Sequence, residues 1–280
     1  MAYTLNNIPV QFKDELIDGI LSESVIAKLA PTMRMDLGSN LVQFSLGLQP
    51  AAIVAGTTAS NLPGEGEQKP VQGANEFVNA QTYKFAQIIP VSAEYQYKMN
   101  RLYDAIIENA PKTIALGVDN VVFNDTTAHQ GMAGFAVASN PYAPAITATG
   151  TTAGDVAAAF NAVAAEGFMP TAVAATPAFA MAMRTATNTA GYPVFPDGNA
   201  YGTVTEVSQL MTANAAYVGD WRQTRFGIVD DIRLKILEEA TLTVGNSTLN
   251  LAQNNLIGIL VEGWCAFACA EGAFAAIPAE

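Results

Sequence analysis

His129 is the only histidine of the chain, and Cys265 and Cys269 are its only cysteines. A Ser-His-Asp or Cys-His device would therefore have to use His129 as its base. That residue lies in the glycine-rich run from Thr126 to Gly134, with no nucleophile motif around it, and reads as a polar turn residue. Two cysteines four residues apart and one remote histidine do not form a zinc set. In a strand, Cys265 and Cys269 would share a face about 13 Å apart, too far to bridge, and they read as buried free thiols. Asp230-Asp231 and Glu238-Glu239 read as solvated strand or turn ends, with a weak cation site as the alternative. Gly131 and Gly134 lack the strand, helix and lysine of a phosphate loop. No catalytic, cofactor or metal residue is assigned, and the reading is of a protein that is not an enzyme.

One charged group remains. Glu65, Glu67 and Lys69 sit inside Gly56 to Gly73, eighteen residues of Gly, Thr, Ser, Pro and charge without apolar periodicity. That is too long for an ordinary connection in a compact domain. The segment is either disordered or a loop that docks outside its own subunit, which makes these three residues candidate assembly contacts.

Composition points the same way. Half of the 280 residues are apolar and only 14% are charged, below the usual quarter. Surface poor in charge is commonly surface that an oligomer covers. The net charge of -12, with thirteen scattered basic residues, argues against nucleic acid as a direct ligand. Met1 to Val10 has neither the basic region nor the apolar core of a secretory signal, and Leu256 to Ala270, interrupted by Glu262, is too short to span a bilayer. The expectation is a soluble protein of the cytoplasm with no membrane partner.

The elements that must position these residues are arranged around Lys84 to Asn124. Phe85 to Val91 reads as a strand, and Ser92 as the N-cap of a helix with Glu94 in its first turn. Tyr95, Met99, Leu102 and Ile106, then Tyr103, Ile107, Ile114, Val118 and Val121, recur at helical spacing. This predicts one helix from Ala93 to Asn124, about 48 Å long and kinked at Pro111, with two helices meeting at Pro111 as the alternative. Before it, Phe12 to Leu21 is a helix, and Leu41 to Leu46 with Thr82 to Val91 frame the long loop as a hairpin. After it, Asp155 caps Val156 to Glu166 with Gly167 past the end, and Thr176-Pro177 opens a helix through Arg184. Strands are predicted at Thr171 to Ala175, Thr203 to Val207, Ala215 to Trp221, Gly227 to Val229, Ile232 to Ile236, Leu256 to Ala270 and Ala273 to Ile277. Helices and strands alternate irregularly, an α+β pattern.

Glu65-Gly66 with Lys69-Pro70, Lys84-Phe85-Ala86 leading to Pro90-Val91-Ser92-Ala93-Glu94, and Gly191-Tyr192-Pro193 follow one another in this order. Val218-Gly219-Asp220-Trp221 and Val261-Glu262-Gly263-Trp264 with Ala273-Phe274 complete the series. Together they resemble the major capsid protein of tailed bacteriophages, with the Hong Kong phage type of shell fold. The resemblance implies an N-terminal arm at 1–31, an extended loop hairpin at 32–78, a peripheral domain with a long spine helix at 79–144 and 240–280, and an axial domain at 145–239. It implies self-assembly as hexamers and pentamers into an icosahedral virion shell that encloses double-stranded DNA without sequence-specific binding. Portal and scaffold or decoration proteins are the further partners it implies, with assembly in the host cytoplasm. An encapsulin-like nanocompartment shell enclosing enzyme cargo is the alternative, and particle contents discriminate the two. The covalent cross-link known in one member is not carried over to Lys69.

Overall fold

The computed structural model describes residues 3–4, 10–35, 41–45, 77–94, 99–126, 134–136, 142–229, 232–244 and 247–279. In chain order the strands and helices are β1 (Tyr3–Thr4), α1 (Val10–Glu23), α2 (Val25–Leu29), β2 (Thr32–Met35), β3 (Leu41–Ser45), β4 (Phe77–Gln81), β5 (Tyr83–Ser92) and α3 (Met99–Asn124). They continue with α4 (Thr152–Ala165), β6 (Ala172–Ala175), α5 (Pro177–Thr185), β7 (Val204–Val207), β8 (Asn214–Gly219), β9 (Thr224–Val229) and β10 (Arg233–Leu237). β11 (Thr241–Val244), β12 (Ser247–Asn250), β13 (Leu256–Cys269) and β14 (Phe274–Pro278) close the chain. The α+β class stands.

β13 is the axis of a six-stranded sheet. Along one side it pairs with β5 from Leu256↔Ser92 to Cys265↔Tyr83, and along the other with β10 and then β9. Its odd-numbered residues Ile257, Ile259, Val261, Cys265, Phe267 and Cys269 are buried in the core, as period-2 geometry requires of a half-covered strand. α1 and α3 cover that face. Gly263 stands where Phe85 crosses it, and a Cβ there would run into the Phe85 ring.

α3 is a single helix of 26 residues, about 39 Å long, that runs through Pro111. Its described part begins at Met99, and residues 95–98 of the predicted helix lie outside the described residues. β5 stays extended through Ser92 because it remains paired with β13, and Ala93 N–H donates to the Asn255 carbonyl at 3.0 Å. The Ser92 hydroxyl accepts from Glu94 N–H at 3.4 Å. Tyr95 lies outside the described residues. Among the described side chains the buried stripe of α3 is Ile106, Ala110, Ile114, Ala115, Val118, Val122 and Phe123, whereas the predicted Val121 is only half-buried.

α1 crosses α3 at Gly19, where an added Cβ would lie 2.9 Å from both Cβ and Cγ of Pro111. Alanine is the better helix former by about 1 kcal/mol, but this overlap outweighs the gain. Gly19→Ala is expected to destabilise the unassembled subunit by about 1–2 kcal/mol in denaturant titration. In a Pro111→Ala background, which removes Cγ and keeps Cβ, the loss should shrink without vanishing. An unchanged loss in that background would place the strain elsewhere.

The second sheet has four strands in the order β14-β8-β6-β7. One face, carrying Val173, Ala175, Ala216, Val218, Ala275 and Ile277, packs under α4 and α5. The opposite face, carrying Ala172, Ala174, Tyr217, Phe274 and Ala276, joins the main core. There Phe135 sits among Phe123, Tyr217, Trp221, Phe267 and Phe274, with ring centroids 4.7 to 6.0 Å apart. Tyr217 donates to the Phe123 carbonyl at 3.0 Å and Trp221 Nε1 to the Ala172 carbonyl at 3.1 Å, so both polar tips are satisfied inside the core.

Helix ends after residue 150 follow local chemistry, with one shift. Thr176 caps α5 with Pro177 at its first turn, and Gly167, at φ 87°, follows the end of α4. The N-cap of α4 is Thr151, whose hydroxyl accepts from Gly154 N–H at 3.2 Å, not Asp155. Asp155 sits in the first turn and accepts from Thr149 N–H and hydroxyl at 2.6 and 2.8 Å. The hairpin also differs from expectation: β3 pairs with β4, register Leu41↔Gln81 to Ser45↔Phe77, because β5 is already committed to β13. The closing strands divide, β13 centring the first sheet and β14 pairing with β8 in the second.

Candidate assembly surface

The residues with potential chemistry do not converge. His129, Gly131, Asp230 and Asp231 lie outside the described residues, as do Glu65, Glu67 and Lys69. Gly134 is a packing glycine: a Cβ there would meet the Val122 carbonyl, beside which Phe135 N–H donates to the same oxygen at 2.8 Å. Glu238 and Glu239 follow the end of β10, Glu238 half-buried and Glu239 exposed. Cys265 and Cys269 are buried free thiols of β13, and burial pushes the Cys265 thiol up to about 12 and Cys269 well above its ordinary value. Thiols held protonated in this way are poor nucleophiles. Among the described residues no group of three or more His, Cys, Asp or Glu could hold a metal, and no helix is long and apolar enough to cross a membrane.

A cavity of about 320 Å³ opens between α4, α5 and β8, lined among others by Thr152, Asp155, Thr176, Phe179, Asn214 and Ile277. Asp155 is its one carboxylate, and that group is engaged by Thr149. With no base or thiol in the lining, it offers no catalytic set.

Surfaces are more informative than pockets. Even-numbered residues of β13 point away from α1 and α3, and their cross-strand partners share that outer face. Part of it is closed by a small cluster of its own, in which Met35, Val229, Ala266 and Ala268 are buried beside Trp264. Here Trp264 lies 5.0 Å from the Arg233 guanidinium and 5.9 Å from Lys84 Nζ, ring centroid to cation, and Lys84 pairs with Glu262 at 2.6 Å. Ile88 on the same face and Met33 on β2 are exposed. On α5, the second sheet and its loops, Met181, Tyr192, Tyr201, Val204, Val207 and Leu210 are exposed as well. Such apolar exposure on a chain that is 14% charged marks surface suited to contact.

Asp119, which sequence reasoning did not single out, links the N-terminal helices to α3. It is 1% exposed, and its carboxylate accepts from Ser24 Oγ at 2.5 Å, Val25 N–H at 2.8 Å and Ile26 N–H at 3.4 Å. The carboxylate thus caps α2 from another element. Desolvation raises its pKa above the ordinary carboxyl value, opposed by these three hydrogen bonds and by Lys28.

Compared with known proteins, the chain has the same fold as a solved structure from Mycobacterium phage Cain, at 18% identity and TM-score 0.62, over 92% of this chain and 90% of that one. For Mycobacterium phage Bobi the values are 21%, 0.60, 92% and 91%. The virus-like particle from Pyrococcus furiosus is also similar, at 10% identity and TM-score 0.55, over 95% of this chain and 98% of that one. No curated protein matches significantly. The model of the phage capsid family, however, matches residues 6–273, nearly the full length, and the chain accordingly belongs to that family as a structural protein of the tailed-phage capsid.

Proposed function

We propose that copies of this chain assemble as hexamers and pentamers into a closed icosahedral shell around the double-stranded DNA of a phage, with no catalytic turnover. The observation that carries this reading is the exposed apolar surface of both sheets, from Met33 and Ile88 on the first to Val204, Val207 and Leu210 at the second, on a chain that is 14% charged. Surface of this kind is suited to burial against a neighbouring subunit. In the shell, 1–31 serves as the arm, 32–78 as the extended loop, 79–144 and 240–280 as the peripheral domain, and 145–239 as the axial domain. Glu65, Glu67 and Lys69 act as assembly contacts. Portal and scaffold or decoration proteins complete the particle, which forms in the host cytoplasm.

Light scattering and electron microscopy of the purified chain test the reading. Rings or closed particles are expected, because head-to-tail contacts that close around an axis then tile. A strict monomer at high concentration, across salt and pH, would overturn it. Particles that carry enzyme cargo in place of nuclease-protected DNA would favour the nanocompartment shell instead.

A further inference from the structure

The four-stranded sheet ends on β7, which pairs in parallel with β6 on one side and with no described strand on the other. Its far edge is closed differently: Ala145 bridges Ala276 beyond β14, and Ile146 N–H donates to the Ala276 carbonyl at 2.9 Å. The geometry of β7 settles which of its backbone groups face outward. Ser208 N–H donates to the Ala175 carbonyl of β6 at 3.0 Å, and alternate amides of a strand point to opposite edges. Val204 and Glu206 therefore face β6, and Thr205 and Val207 face out. The Thr205 N–H is taken by Asn199 Oδ1 at 3.2 Å. Val207 N–H and the carbonyls of Thr205 and Val207 remain at the open edge.

Natural edges of this kind are blunted by short length, charge, proline or a bulge. β7 is four residues long and carries Glu206, but it has no lysine, proline or bulge. Its residues are Val204, Thr205, Glu206 and Val207, with Val204 54% and Val207 41% exposed. Leu210 and Tyr201 extend the exposed apolar rim, and Tyr201 is held at φ 49°, a left-handed backbone unusual for an aromatic residue. On a chain of net charge -12, two copies approach most easily where acids are sparse, and β7 carries Glu206 alone.

We propose that β7 is a strand-addition edge, where an extended segment of a second copy of this chain pairs with Val207 N–H and with the carbonyls of Thr205 and Val207. This rests on the shell reading, which supplies the second copy, and adds the edge through which copies join. Main-chain pairing supplies the affinity, and Val204 and Val207 the apolar contact.

Val207→Pro is a selective test, because it removes an outward N–H and leaves the bonds to β6 in place. The unassembled variant should melt as the wild type does, while the protein concentration needed for particles rises about tenfold, as the loss of one or two hydrogen bonds per contact implies. Val207→Lys, which needs no special backbone angle, should act in the same direction. Hydrogen exchange gives the direct readout: the Val207 amide should exchange freely in the subunit and be protected in the particle. Wild-type particles with an unprotected Val207 amide, or both variants assembling at the wild-type concentration, would overturn the edge and leave the shell reading intact. A wild-type chain that never assembles would overturn both.

Discussion

Asp119→Ala is expected to destabilise the unassembled subunit by about 3 kcal/mol, read from denaturant titration. The substitution leaves Ser24 Oγ, Val25 N–H and Ile26 N–H buried without an acceptor, and each stranded donor costs about 1–3 kcal/mol. Relief from burying a carboxylate returns part of that sum. Asp119→Asn should lose less, since its carbonyl keeps one or two of the bonds while its NH₂ faces donors. The pH dependence has a definite sign. Desolvation sets the folded pKa of Asp119 above the unfolded one, so between the two values the folded state binds more protons. The contribution of this group to stability is then full below the unfolded pKa, near 4, and is lost as pH rises through the folded pKa. Wild type should gain on Asp119→Asn as the pH falls from neutral toward 4. A gap that narrows in that direction would mean that the hydrogen bonds to α2, and not desolvation, control the ionisation.

What the sequence made legible was local. Thr176-Pro177 and Gly167 mark helix ends through their own backbone chemistry, and both ends lie where that chemistry puts them. The Ala172–Ala175 strand was visible because a continuous apolar run fits a strand buried on both faces. Pairing was not visible, because it depends on residues far apart in the chain. β4 took the place expected of β5, and β2 and the β11–β12 hairpin went unnoticed, being strands of four residues each, too short for any alternation to stand out. Among the functional candidates, counting one histidine and two cysteines narrowed the devices that the chain could carry. Asp119 and the open edge of β7 could not be singled out that way. Asp119 did leave a trace, an acid continuing the buried row of Ala115 and Val122 on α3, but only the docked α2 shows why it is there. The edge depends on which strand ends a sheet, and no pattern inside Val204–Val207 encodes that.

Replacing Gly56 to Gly73 by a short Gly-Ser turn is expected to leave the melting temperature of the unassembled subunit nearly unchanged while abolishing or severely weakening particle formation. The ends of the segment are already held without it: β3 and β4 pair from Leu41↔Gln81 to Ser45↔Phe77, and β5 is anchored along β13. Loop length adds little to the cost of closing such a hairpin, about 0.6 kcal/mol per doubling, so shortening it should shift subunit stability only slightly. Eighteen residues rich in Gly, Pro, Ser and Thr have no core of their own to contribute. On the proposed reading they act by contact with another copy, where Glu65, Glu67 and Lys69 are expected to find partners. Reversing Glu65 and Glu67 to lysine should therefore weaken assembly less than replacing the loop. The effect of reversal should fade with added salt, because exposed charges are screened within about 8–10 Å at physiological ionic strength. Scattering at matched protein concentrations, with thermal melts of the unassembled variants, separates these outcomes. Particles of normal size and stability from the loop-replaced chain would show that the segment takes no part in joining subunits.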